Sequence, residues 1–154
     1  MRVTEARPAV PATGRVLGLD LGSRRVGVAV TDDGQRVATG VTVVARRGDQ
    51  QAEHRAIAGL VEEYEAVGVV VGLPRSLSGQ DGPAARTVRH EVEALAAGLA
   101  VPVETVDERF TTVTAAAGLR AAGRPARRQR DLIDQTAAAV LLQAWVDRRG
   151  ADRG

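Results

Sequence analysis

Three short apolar runs lie next to one another at residues 15–22, 25–31 and 36–44, separated only by turns of two and four residues. Valine, leucine and threonine dominate these runs, as is typical of β-strands. Because such short turns return the chain beside the strand it has just left, the pattern predicts an antiparallel meander of three strands. A meander must bury one of its faces, so the segments that follow it decide the fold.

After the meander, helical and strand patterns alternate. Residues 49–64 carry apolar side chains at helical spacing, and residues 67–73 form a continuous apolar run typical of a strand buried on both faces. Four further elements are predicted, namely a helix from Pro83, a strand at residues 102–106 and helices at residues 111–122 and 131–148. This order predicts an α/β fold with a mixed five-stranded sheet, in which the antiparallel meander joins two parallel strands, and with helices on both faces. Such an arrangement resembles the ribonuclease H-like fold.

The length and composition are typical of one domain. The chain has 154 residues, of which 44% are apolar, enough to bury one core. Residues 1–13 hold two prolines and no apolar periodicity, so we expect a flexible N-terminal tail, a domain at residues 14–149 and a C-terminal tail at residues 150–154. No apolar stretch reaches the roughly 18 residues of a membrane span, and no export signal is evident. We expect a soluble, cytoplasmic protein with no membrane partner.

Asp20 is the most informative polar residue. It lies in the apolar run at residues 15–22, where a buried carboxylate is costly unless it binds a metal ion or enters a hydrogen-bond network. Glu108 follows the last predicted strand, and Asp134 lies on the inward face of the final helix, so both can approach Asp20 at the carboxyl ends of the strands. Asp107 is a rival to Glu108, because sequence alone does not fix which of two adjacent side chains faces the site.

Any metal ion in this protein must be bound by carboxylates, because the chain has no cysteine and only two histidines. Three carboxylates suit Mg²⁺ or Mn²⁺, and a pair of such ions can promote phosphodiester hydrolysis. We therefore predict Asp20, Glu108 and Asp134 as catalytic and metal-binding residues. The simpler alternative is capping, of a turn by Asp20 and of the helix by Asp131 and Asp134.

Positive charge is concentrated in one segment of the chain. The net charge is +2 and all 21 cationic residues are arginine, so the high pI of 10.2 reflects how few groups titrate between histidine and tyrosine. Six arginines and no carboxylate fall within residues 109–130, which suggests phosphate contacts beside the acidic residues. A plain solvated loop remains the alternative. The predicted nucleic-acid contacts are Arg24, Arg25, Arg75, Arg109, Arg124, Arg127, Arg128 and Arg130.

Four motifs occur in order: Gly-Leu-Asp-Leu-Gly-Ser-Arg-Arg-Val-Gly-Val-Ala-Val at residues 18–30, Val-Gly-Leu-Pro at 71–74, Asp-Glu-Arg-Phe-Thr-Thr at 107–112 and Ile-Asp-Gln-Thr-Ala-Ala at 133–138. Together they resemble the YqgF family of Holliday junction resolvases, also described as pre-16S ribosomal RNA nucleases. The resemblance implies a bacterial cytoplasmic nuclease of ribonuclease H-like fold that acts in ribosomal RNA maturation. It matches Asp20, Glu108 and Asp134 to the three acidic positions of the family.

Other functions remain open at this point. A nuclease acting on structured RNA is the leading hypothesis, and a resolvase of branched, four-way DNA junctions is its nearest rival, which would normally need a homodimer with two sites. Sugar kinases and actin-like ATPases also carry Asp-x-Gly at a strand end, but they bind nucleotide between two domains and this chain provides one. A non-catalytic RNA-binding factor is a further alternative.

Overall fold

The computed structural model describes residues 9–74, 82–110 and 127–153. In these ranges five strands occur: β1 (Val16–Leu21), β2 (Arg25–Thr31), β3 (Ala38–Ala45), β4 (Gly68–Leu73) and β5 (Val103–Asp107). The helices there are α1 (Gln50–Glu63), α2 (Pro83–Ala97), α3 (Arg127–Arg153) and a short 3-10 helix (Glu108–Phe110). The predicted helix at residues 111–122 lies outside the described residues. None of the described helices is both long and apolar enough to cross a bilayer.

The five strands form one sheet in the order β3-β2-β1-β4-β5. The pairs β3–β2 and β2–β1 are antiparallel, and the pairs β1–β4 and β4–β5 are parallel. β1 is therefore central, with the other two strands of the meander, β2 and β3, on one side of it and the parallel strands β4 and β5 on the other. This confirms the predicted mixed sheet.

Each face of the sheet is covered by helices. On one face, the alternate strand residues Leu17, Leu19, Val26 and Val28 form a core with Ile57 of α1 and Leu95 of α2. On the other face, α3 packs on a second core that includes Val16, Ala29, Val70, Leu141, Leu142 and Trp145. Alternation along each strand supplies both cores, because successive side chains point to opposite faces.

The N-terminal boundary differs from the prediction. Val10, expected within a flexible tail at residues 1–13, is 1% exposed, and its side chain packs against Gly68. Its backbone N–H donates to Oε2 of Glu104 at 2.9 Å, and its carbonyl accepts a hydrogen bond from Arg149. The prediction failed because one apolar residue makes no periodic pattern, yet it fills the space that a glycine leaves free.

The last helix is longer than predicted at both ends. α3 begins at Arg127, within a segment expected to be a loop, and it continues to Arg153, through most of the C-terminal tail predicted at residues 150–154. The added turns are rich in arginine, which favours helix without contributing to an apolar stripe. Apolar periodicity therefore revealed the buried part of α3 and not its full length.

Candidate active site at the carboxyl end of β1

Asp20 lies on the face of the sheet that α3 covers. Two residues that precede it on the same face of β1 confirm the orientation, because Val16 belongs to the core beneath α3 and Gly18 lies against Leu142. Asp20 continues this series near the end of the strand, where it is half-buried. Its carboxylate is thus directed to the α3 side, at the carboxyl end of the central strand.

Gly27 allows the backbone of α3 to approach the strand beside Asp20. Asp20 and Gly27 are paired across β1 and β2, so both face α3. A Cβ atom on Gly27 would lie 2.1 Å from the carbonyl oxygen of Asp134, far inside van der Waals contact. The absence of a side chain at residue 27 therefore brings Asp134 to the strand position next to Asp20.

Gly72 has the equivalent role on the other side of Asp20. The parallel register pairs Leu19 with Val71, so the next residues along, Asp20 and Gly72, are neighbours on one face. A Cβ atom on Gly72 would lie 3.4 Å from Cγ of Glu108 and 3.6 Å from its carboxyl carbon. Glu108 thus packs over Gly72, on the same face as Asp20.

Asp107 makes a different set of contacts. Its carboxylate accepts a hydrogen bond from the backbone N–H of Arg109 at 2.9 Å, and its Oδ2 lies 2.6 Å from Nη2 of the same residue. The first of these bonds caps the 3-10 helix. The hydrogen bonds to Asp107 also raise the pKa of the Arg109 guanidinium above its ordinary value. Glu108, and not Asp107, is therefore the residue that packs over Gly72.

Asp134 is buried and paired with an arginine. It is 6% exposed, and its Oδ2 accepts a hydrogen bond from Nε of Arg25. Arg25 begins β2 on the same face as Gly27, so the cation lies between the strand and the helix. A buried carboxylate requires such compensation. Arg25 was predicted to contact nucleic acid, and the structure gives its guanidinium a partner within the protein.

The three acidic residues offer only oxygen ligands, which fits Mg²⁺ or Mn²⁺ by donor chemistry. They share one face at one end of the sheet. Among residues 9–74, 82–110 and 127–153, however, no three His, Asp or Glu side chains are close enough to hold one ion together. Binding a shared ion would therefore require the side chains of Glu108 and Asp134 to turn toward Asp20.

The predicted nucleic-acid contacts have several environments. Arg24, Arg128 and Arg130 are exposed, whereas Arg25 and Arg109 are paired with carboxylates. The other three arginines lie where the structure describes no side chain: Arg75, Arg124 and Arg127. The basic surface seen in the structure therefore lies around the start of α3 and the β1–β2 turn.

Sequence reasoning missed a buried ionic cluster on the opposite face. Arg46, just after β3, donates from Nε to Glu53 at 3.1 Å, from Nη2 to Glu91 at 2.5 Å and from Nη1 to the carbonyl of Gly22 at 3.0 Å. Nε2 of His54 lies 3.0 Å from Oε2 of Glu91. We call Arg46, Glu53, His54 and Glu91 the Arg46 cluster. It ties two helices to the turn that follows Asp20.

The charge states in the Arg46 cluster follow from opposing effects. Burial raises the pKa of the Glu91 carboxyl, but hydrogen bonds from Arg46 and His54 outweigh burial, so the pKa lies below its ordinary value of 4.5. Burial also lowers the pKa of Arg46, while Glu91 and Glu53 raise it by more. The sequence did contain a sign that these two glutamates are buried. Glu53 and Glu91 each precede an inward apolar residue by one helical turn and therefore lie on the inward face of their helix.

The sheet order, with α3 on one face and α1 and α2 on the other, places the chain in the ribonuclease H-like class of α/β folds. Two solved structures share this fold. "T. thermophilus RuvC in complex with Holliday junction substrate" superposes with a TM-score of 0.52 at 19% identity, covering 89% of this chain and 96% of the other. "Thermus thermophilus RuvC structure" gives a TM-score of 0.50 at 18% identity, with the same coverage.

The chain belongs to the RuvX family, described as Holliday junction resolvase, whose sequence profile matches residues 14–148. Two similar relatives both carry the name "Putative pre-16S rRNA nuclease". The protein from Streptomyces coelicolor is 53% identical, over 84% of this chain and 78% of its own length. The protein from Anaeromyxobacter dehalogenans is 48% identical, over 88% of this chain and 98% of its own length. These matches confirm the resemblance found in the motifs.

Proposed function

We propose that this protein hydrolyses phosphodiester bonds in the precursor of 16S ribosomal RNA, during ribosome biogenesis in the cytoplasm. One observation carries the proposal: Asp20 lies between Gly27 and Gly72, and these glycines admit Asp134 and Glu108 to the same face of the sheet. The names of the relatives support the choice of RNA as the substrate.

Asp20, Glu108 and Asp134 would hold Mg²⁺ or Mn²⁺, and two such ions, when bound, stabilise the attacking and leaving oxygens of hydrolysis. In the overall reaction, water adds to phosphorus and one P–O ester bond breaks, leaving a phosphomonoester and a hydroxyl group. Arg25 balances the charge of the buried Asp134 through its hydrogen bond to Oδ2. The exposed arginines Arg24, Arg128 and Arg130 attract the phosphates of the substrate.

Substitution Asp20→Asn tests this proposal. It removes one negative charge and one oxygen ligand with little change in volume. We expect cleavage of a pre-16S RNA fragment in Mg²⁺ or Mn²⁺ to fall at least about 100-fold, since even groups that only support metal ligands contribute 10- to 100-fold. Thermal unfolding, followed by circular dichroism, should show that the variant is folded.

Asp33→Asn is the matched control, because the side chain of Asp33 is 85% exposed and distant in the fold from β1's carboxyl end. It should cleave RNA as the unmodified protein does. Full activity of a folded Asp20→Asn protein would overturn the proposal. A four-way DNA junction serves as the comparison substrate: paired cuts in the junction, with the RNA precursor left intact, would assign the site to DNA and require a symmetric dimer.

A further inference from the structure

A basic groove lies where the β2–β3 edge meets the start of α3. Its cavity has a volume of about 470 Å³. The lining residues are mostly arginine, and one of them is acidic: Arg24, Arg25, Val43, Ala45, Arg46, Arg47, Arg130 and Asp131. We call these residues the arginine groove. So strong a local excess of positive charge is typical of a surface that binds phosphates.

Not all of the arginines contribute equally to this charge. Arg25 is paired with Asp134, and Arg46 is paired with Glu53 and Glu91. By contrast, Arg24 and Arg47 are exposed, and neither guanidinium is paired with a carboxylate of the described residues. The available positive charge of the arginine groove therefore resides chiefly in Arg24 and Arg47, and Arg130 at the start of α3 also lines the groove.

Hydrogen bonds from the backbone fix the segments that carry these arginines. The N–H of Arg46 donates to the carbonyl of Arg24 at 2.8 Å, which joins the end of β3 to the β1–β2 turn. The N–H of Arg47 donates to Oε2 of Glu53 at 3.1 Å. The Arg46 cluster thus fixes the backbone on one side of the groove, which Val43 and Ala45 of β3 also line. Such preorganisation lowers the entropy lost when the arginines bind a ligand.

We propose that the arginine groove binds the phosphate backbone of an RNA strand through Arg24, Arg47 and Arg130. The choice of RNA rests on the proposed function. Guanidinium groups bind phosphate oxygens in bidentate fashion, and three of them along a groove suit successive phosphates. Because Arg25 lines the same groove and bonds Asp134, a strand held there leads directly to the acidic residues. Arg47 is thereby a positioning residue for the substrate, outside the four sequence motifs.

The test measures binding separately from cleavage. Each variant is made in the Asp20→Asn protein, and its affinity for a labelled single-stranded RNA is measured by fluorescence anisotropy across a salt series. We expect Arg47→Gln to weaken binding about tenfold, as for the loss of one charge-assisted hydrogen bond. The slope of log affinity against log salt should become shallower by about 0.7 for each phosphate contact removed. Arg24→Gln should act similarly, and the double variant should lose more.

Two further variants serve as controls for the position and for the chemistry of the charge. Arg55→Gln removes an exposed arginine on α1 and should leave both the affinity and the slope unchanged. Arg47→Lys keeps the charge and should retain most of the slope. Unchanged binding by the folded Arg24→Gln/Arg47→Gln protein would overturn the proposal, as would an equal loss in Arg55→Gln. Neither result bears on cleavage by the unmodified protein, so failure of the arginine groove and failure of the nuclease assignment are distinguishable.

Discussion

At the scale of single residues, the pair Arg25–Asp134 links the sequence motif on β2 to the helix that closes the site. The two residues are 109 positions apart in the chain, and Asp134 is buried. A buried carboxylate without its cation carries a large desolvation cost, so the pair should be visible in the free energy of unfolding.

We expect Arg25→Gln to lower the free energy of unfolding by about 3–5 kcal/mol, the usual cost of removing one member of a buried ion pair. Asp134→Asn in the same protein should recover part of that loss, because it removes the buried charge that Arg25 balanced. Urea unfolding of the two single variants and the double variant gives the coupling energy directly. Additive losses would show that the pair does not stabilise the fold.

Arg24→Gln is the matched control for this cycle. Arg24 precedes Arg25 in the same motif but is exposed, so its replacement should change the free energy of unfolding by no more than about 0.5 kcal/mol. A loss as large as that of Arg25→Gln would point to disruption of the β1–β2 turn instead of the loss of one buried contact.

The sequence points to candidate acidic residues more clearly than to their partners. Asp20 and Asp134 stood out because a carboxylate interrupts an apolar pattern, and this signal is local. The bond from Arg25 to Asp134 depends on how α3 crosses β2, and the choice between Asp107 and Glu108 depends on which of them packs over Gly72. Neither depends on local sequence, so neither could be predicted.

At the scale of elements, the packing of α3 on the meander depends on glycine. Gly27 contacts the backbone of α3 at Asp134, and Gly40 on β3 contacts it at Gln135, where an added Cβ would lie 2.8 Å from the Cβ of Gln135. The sequence predicted these strands correctly because strand-forming residues in short runs, joined by short turns, are typical of an antiparallel meander. It did not reveal that glycines mark the crossing, because a strand glycine has several possible causes.

Gly27→Ala tests the importance of this close approach. The new methyl group must displace α3, because it would otherwise lie 2.1 Å from the Asp134 carbonyl oxygen. We expect a loss of at least about 1–3 kcal/mol in the free energy of unfolding, as for overpacked cores. Cleavage should fall as well, since Asp134 moves with the helix.

The counterpart is Gly59→Ala, in the middle of α1, where no atom lies within 4 Å of an added Cβ. Alanine is the better helix former, so this variant should gain about 0.5–1 kcal/mol. Thermal unfolding of both variants would compare a packing glycine with a merely tolerated one. Equal effects of the two substitutions would contradict the close-packing explanation.

At the scale of the whole molecule, the Arg46 cluster joins the meander to both helices on its face. Arg46 follows β3, Glu53 and His54 lie on α1, and Glu91 lies on α2. The cluster also holds the carbonyl of Gly22, two residues beyond Asp20. Its ionisation therefore couples the stability of the whole fold to pH.

Glu91 should make the protein sensitive to acid. Its pKa is lower in the folded state than the ordinary 4.5, so the unfolded chain binds the proton first as the pH falls. The stabilisation is fully present above pH 4.5 and is lost as the pH falls through the lower folded value. We expect Glu91→Gln to destabilise the protein at pH 7 and to flatten the acid limb of the curve of unfolding free energy against pH.

Glu62→Gln provides the comparison, because Glu62 is exposed on the other side of α1. That variant should follow the unmodified protein at every pH. If Glu91→Gln kept the same acid limb as the unmodified protein, another group would have to account for the acid sensitivity.

The burial of Val10 has a consequence for synthesis on the ribosome. Val10 bonds Glu104 and Arg149, which lie 94 and 139 positions later in the chain. Contacts between such distant residues cannot form until the later residue has been made, and closing so long a loop is entropically costly. Val10 is made before both of these partners, and its contact with α3 can form only after that helix has emerged. The contact between Val10 and α3 therefore forms only after residue 149 has been made, and until then the carbonyl of Val10 lacks its hydrogen bond from Arg149.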